Sequence, residues 1–163
     1  MSWTCPVCHG KHDEIPTCFG IEAPWQALVP EPEFTKRVEL TADLCVVDET
    51  VFFVRGHIEI PIHGHNEPLA FSVWSSLSQA SFNEMMERWN APDRVNDGPY
   101  FGWLSSPIHV YPSTINLKLS VHMRVPGLTP LFEVEPTDHP LALDQRNSIS
   151  IERWHDMALA LLV

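Results

Sequence analysis

The chain has 163 residues, a formal net charge of −11 with its nine histidines neutral, and 15 prolines against 7 glycines. A domain of this length buries roughly 70% of its unfolded surface, so its core needs neither a metal nor a disulfide. The acidic balance excludes a nucleic-acid backbone as partner, because phosphate binding rests on clustered Lys and Arg, and the longest apolar run, Met157 to Val163, falls far short of the ~20 residues that span a bilayer.

Residues 1–20 form a head containing Cys and His. Trp3, Cys5 and Cys8 stand where a secretory signal would carry its basic and apolar regions, so the expectation is a soluble, cytoplasmic protein. In that compartment Cys5, Cys8, Cys18 and Cys45 are thiols or ligands rather than disulfides. Residues 21–44 read as irregular, with Pro24, Pro30 and Pro32 breaking helices and only a short helical turn within Glu31–Leu40. A strand at Leu44–Val47 turns through Asp48-Glu49-Thr50 into the central hairpin, Val51–Leu77. There Phe52, Val54, Gly56, Ile58, Ile60 and Ile62 alternate with Phe53, Arg55, His57, Glu59, Pro61 and His63, which predicts one apolar and one largely polar face.

A helix follows, with Phe82, Met85, Met86 and Trp89 on one stripe. Ser81 with Glu84 forms a capping box, and Ser78 competes as N-cap one turn earlier. Asn90–Pro99 is a polar loop and Tyr100–Leu104 a strand. Thr114–Val125 alternates without a break and predicts a long strand, ended by Pro126-Gly127. Leu131–Glu135 is a further short strand. Asp138-His139-Pro140 starts a helix to about Arg146, and the last helix begins near Ser150. The pattern predicts an α+β fold: a single domain over 1–163, with a mostly antiparallel sheet (44–135, one inserted helix) covered on one face by helices. C-terminal helices occupy 138–162, and 1–20 is a small zinc-knuckle-like head.

Three constellations could carry chemistry. Cys5-Pro6-Val7-Cys8 places two thiolates where both sulfurs can face one ion, and with His12 and Cys18 it forms a Cys-Cys-His-Cys set for a structural zinc; Cys45 or a distant histidine could replace Cys18. A c-type haem attachment at Cys5-x-x-Cys8-His9 would need export, and a thioredoxin-like pair would need a strand before it and a helix after it. The alternative is a pair of unliganded thiols. The second constellation is the polar side of the sheet: Arg55, His57 and Glu59 on one strand, Lys118, His122 and Arg124 on another, with Trp74 beside them. If the two faces coincide they make a platform for an anionic or mixed small ligand or for a protein partner; otherwise they are an ordinary solvated face. The third is Glu133, Glu135, Asp138 and His139, with Asp144, Gln145 and Arg146 beyond, where Asp138 reads as a helix cap and Arg146 as a helix-end cation. The chain holds no Gly-x-Ser-x-Gly elbow and no phosphate-cradling glycine loop.

Cys5-x-x-Cys8 with His12, Pro16 and Phe19-Gly20, then Phe52-Phe53-Val54-Arg55-Gly56, Val73-Trp74-Ser75-Ser76-Leu77-Ser78 and Tyr100-Phe101-Gly102-Trp103-Leu104, together with Glu135-Pro136-Thr137-Asp138-His139-Pro140-Leu141, resemble the bacterial family called domain of unknown function 2199. The resemblance covers almost the whole chain and implies a bacterial, single-domain protein without an established activity. Cys5, Cys8, His12, Cys45 and His139 match its pattern. Cys18 falls where the family more usually has a small polar residue, and His9 where it has glycine. A metal site shared by the family would take its fourth ligand from Cys45, His139 or water. The function expected is that of a zinc-binding, non-catalytic binding or interaction protein, regulatory or immunity-like by analogy. The alternative is a metal-assisted hydrolase whose zinc keeps one coordination position open.

Overall fold

The computed structural model describes residues 15–162, together with the strands β1 (Trp3–Thr4) and β2 (Lys11–His12), which pair antiparallel. The other strands are β3 (Cys18–Gly20), β4 (Val38–Leu40), β5 (Leu44–Val47), β6 (Val51–Ile60), β7 (Leu69–Leu77), β8 (Tyr100–Leu104), β9 (Lys118–His122) and β10 (Leu131–Val134). The helices are α1 (Phe34–Arg37), α2 (Gln79–Glu87), α3 (Pro140–Asn147) and α4 (Ile151–Leu161).

β6 to β10 close into a five-stranded barrel. Each strand pairs antiparallel with the next, and β10 returns to pair parallel with β6. An up-and-down ring with an odd number of strands must contain one like-directed pair, and this is it. β3 extends the sheet beside β7, while β5 and β4 form a wing on the first half of β6. The predicted α+β sheet under a layer of helices is therefore corrected to a barrel. The interior face of a barrel is covered by its own strands, so no helical layer is required. The helices sit at its ends instead. α2 reaches the Phe52–Leu77 end, where Phe82 stacks on Phe52 at 4.7 Å, and α3 and α4 join the Ile60–Leu69 end, where Ile62 bridges Ile149.

Val54, Ile58 and Ile60 of β6, Phe71 and Val73 of β7, Leu104 of β8, Leu119 and Val121 of β9, and Phe132 and Val134 of β10 fill the interior, joined by Leu141 and Ala158 from the two C-terminal helices. Gly56 makes room for this packing. A Cβ there would stand 2.3 Å from the Phe132 ring, so the glycine marks a close approach inside the barrel. The expected polar face of the hairpin is only half right. Phe53 and Trp74 point out of the barrel, yet they are buried with Cys45, Val47 and Val38 in a second cluster beneath the 23–38 segment.

Several boundaries shift for local reasons. The uninterrupted alternation of Thr114–Val125 yields only Lys118–His122; at its start Asn116 takes a left-handed conformation (φ 69°), and Ile115 is exposed. Ser78, rather than Ser81, caps α2 by accepting from the Ser81 N–H, and Ser150 caps α4 as expected. The short helical turn within Glu31–Leu40 is present as α1, but Val38–Leu40 continues as an edge strand.

Two polar side chains, the half-buried Gln145 and the buried Arg94, hold the barrel where its backbone pairing stops. β10 and β6 share one residue pair, Leu131 with His57, and the His57 N–H donates to Pro130 O at 2.9 Å. Beyond it the strands part, and the Gln145 amide of α3 enters the gap. It accepts from the Val134 N–H (2.7 Å) and donates to Phe132 O (2.9 Å), with Glu59 O of β6 at 3.5 Å. One side-chain amide thus offers β10 the donor and acceptor that a neighbouring strand would supply. Arg94, 2% exposed, donates to the carbonyls of Trp89, Arg124, Val125 and Leu128, tying the loop after α2 to the turn after β9.

Replacing Gln145 by Ala leaves two buried backbone groups of β10 without partners and is expected to lower unfolding free energy by about 2–3 kcal/mol in urea titrations; Gln145→Glu, which keeps the acceptor but loses the donor, should not restore it. Arg94→Lys is expected to cost at least about 3 kcal/mol by the same measurement, because an ammonium cannot span four carbonyls as a planar fork does.

Candidate functional site

β10 lies between β6 and β9, so the outward faces of those two strands do coincide. His57, Leu131 and His122 form one row across the three strands. Glu59 and Glu133 sit two residues further along, where the seam opens into a cleft of about 460 Å³. Leu131, Phe132, Val134 and Pro136 give the cleft an apolar lining, while Glu59, His122, Glu133, Gln145 and Arg146 bring polar groups to it. His122 Nε2 lies 3.4 Å from Glu133 Oε2, yet the alignment makes no hydrogen bond and the nitrogen is buried. Arg146 is held at the cleft by donating to Thr137 O at 2.7 Å.

Of the expected platform, His57, Glu59 and His122 come together here. Arg55 does not take part: its guanidinium donates to Ala42 O (2.7 Å), Ser72 Oγ (2.8 Å) and Asp43 Oδ1 (3.2 Å), stapling β6 to the loop before β5. Trp74 is buried in the second cluster, with its indole N–H on Ile21 O at 3.0 Å. Lys118 belongs to the neighbouring stretch of barrel wall, where its Nζ lies 5.8 Å from the Trp103 ring. Glu133, Gln145 and Arg146 belong to the third constellation of the sequence, and Glu133 and Arg146 share the cleft with His122 through tertiary placement alone. Asp138 does not cap α3. The cap is His139, whose Nδ1 accepts from the Leu141 N–H at 3.1 Å. Asp144, named with the third constellation, is buried against the Tyr111 hydroxyl (2.6 Å) and Arg153.

Of the metal-site residues, Cys5 and Cys8 lie outside the described residues, and His12 is described only as part of β2. Cys18 is exposed on β3. Cys45 is fully buried within the second cluster, and burial pushes its thiol up to about 11. The ring of His139 has both nitrogens engaged, since Nε2 faces Ser113 O at 3.0 Å while Nδ1 caps the helix. Among the described residues no group of three or more His, Cys, Asp and Glu stands where it could hold a metal ion, and no helix is long and apolar enough to cross a membrane.

The family profile "Uncharacterized protein conserved in bacteria (DUF2199)" matches residues 4–149. The chain belongs to that family. No curated protein and no solved structure matches it.

His57 is half-buried, and burial first, then the charges of Arg55 and Arg124, hold its pKa below the ordinary 6.5 against an opposing pull from Glu59. Below pH 6.5 the unfolded chain takes up this proton more readily than the folded one, so His57 makes stability fall as pH drops from there towards the depressed value. Urea midpoints measured from pH 7.5 down to pH 5 are expected to decline less steeply in His57→Gln than in the natural protein.

Proposed function

We propose that this protein is a non-catalytic binding protein whose small ligand seats in the seam cleft between β6 and β10. One observation carries the reading: an apolar floor and several convergent polar side chains meet at the place where the barrel wall lacks continuous strand pairing. A cleft of about 460 Å³ lies within the ~300–1,000 Å³ of ordinary small-molecule sites, and such sites combine apolar walls with a few placed polar groups. Glu59 and Glu133 favour a ligand with a donor or cationic group, and Arg146 favours an acceptor on the same ligand. The zinc expected at Cys5, Cys8, His12 and Cys18 stays within the proposal as a structural ion, supported by the thiol spacing alone; elemental analysis of protein purified without added metal decides it.

The cleft is tested with a fragment set of small amines, carboxylates and zwitterions followed by amide NMR. Binding fragments are expected to shift Leu131–Val134 and Arg146, and Glu133→Ala or Arg146→Ala should weaken them about tenfold, the loss of one charge-assisted contact. Both side chains are exposed, so thermal stability should hardly change. Shifts confined to other surfaces, or fragment affinity indifferent to both variants, would reject the cleft.

A further inference from the structure

A second surface lies on the wing formed by β4 and β5. Along β5, Cys45 and Val47 are buried in the second cluster, so Leu44 and Val46 face the other way. With Phe52 of β6 they floor a groove of about 500 Å³ whose far wall is Phe82 and Met86 of α2. The helix covers the Phe52 end by ring stacking, and Leu44, Val46 and Met86 remain only partly buried. No Lys or Arg lines the groove; its charged residues are Glu39 and Glu49. The neighbouring Asp48 is neutralised by Arg37 at 2.7 and 2.8 Å. Glu39 and Glu49 form no ion pair with any described residue. Glu49 also keeps a left-handed backbone (φ 57°), where glycine or asparagine would be less strained.

We propose that this groove docks the apolar stripe of a cationic amphipathic helix supplied by another protein. Charge complementarity selects the sign of the partner, since an apolar trough rimmed by unpaired carboxylates on a chain of net charge −11 attracts Lys and Arg. A second copy of this chain would bring the same negative charge and is disfavoured. An extended strand is a poor fit: β4 offers a three-residue edge, and the Val38 N–H already donates to Phe34 O. Recognition must therefore run through side chains, which is how helices occupy grooves, with anchors at i, i+3 or i+4 and i+7. Met86 gives the wall an adaptable surface of the kind such grooves use.

The probe is a fluorescein-labelled 18-residue Leu/Lys peptide with leucines at helical spacing, compared by anisotropy with the same composition rearranged to strand spacing and with a Leu/Glu analogue. The helical Leu/Lys peptide is expected to bind at least tenfold tighter than either, and to weaken as salt rises. Val46→Asp and Met86→Glu, each checked by thermal melting, should weaken it at least tenfold. Glu39→Lys/Glu49→Lys should weaken it several-fold and flatten the salt dependence, whereas Glu31→Lys/Glu152→Lys, with the same change in net charge elsewhere, should not. Equal binding of the rearranged peptide, equal loss in the control charge variant, or unchanged binding in both groove variants would overturn the proposal. So would sedimentation showing a dimer that Val46→Asp dissociates, since a second copy would then be the occupant.

Discussion

Closure of the barrel is the constraint on which the rest of the molecule depends. Five strands running alternately up and down leave one pair pointing the same way, and that pair must be β10 and β6, the last strand and the first. Parallel neighbours need a long connection and pair less strongly than antiparallel ones. Here they share a single residue pair before separating. Buried backbone groups cannot be left without partners in such a gap, and the Gln145 amide meets that need by occupying the position a strand would take. α3 is thereby fixed against the barrel, and the outer side of the gap becomes the cleft. The weakest part of the wall and the best candidate for a binding site are one feature.

The same strand, β6, explains why polar residues went to different fates. Its first half lies between the barrel interior and the second cluster, so both faces are covered and Phe52, Phe53 and Val54 are all buried. Arg55 stands where this covered half ends, and its guanidinium is spent on holding the preceding loop. His57 and Glu59 lie beyond it, on the half that faces β10, where His57 pairs with Leu131 and Glu59 lines the cleft. A charged residue on a strand therefore reports its face but not its role. Three residues spaced two apart on one strand divide between a staple and a site because the layer outside them ends part-way along.

Family membership and much of the local structure were legible in the residues. The alternation of β6 and β7, the stripe of α2 and the start of α4 at Ser150 all follow from side-chain periodicity and capping chemistry, whereas the meeting of the His57 and His122 faces depends on both strands pairing with β10. Less legible were features in which one side chain answers distant backbone. Arg94 reads as part of a polar loop, and nothing adjacent to it shows that four carbonyls from two separate segments will converge on its guanidinium. Gln145 is one polar residue in a short helix until β10 is placed beside it. His139 offers metal-binding chemistry, yet its ring is committed to a helix cap and to Ser113.

The amino-acid order by itself determined where the central hairpin and the longer helices lie and the period of their apolar positions, because these depend on neighbours within a few residues. Only the tertiary structure decided that the sheet closes. An alternating strand has the same period of two in an open sheet under helices as in a barrel, and its pairing partners lie tens of residues away. Closure in turn decided which polar residues meet at the seam and which disappear beneath the 23–38 segment. The site is therefore a product of long-range pairing that no local pattern encodes.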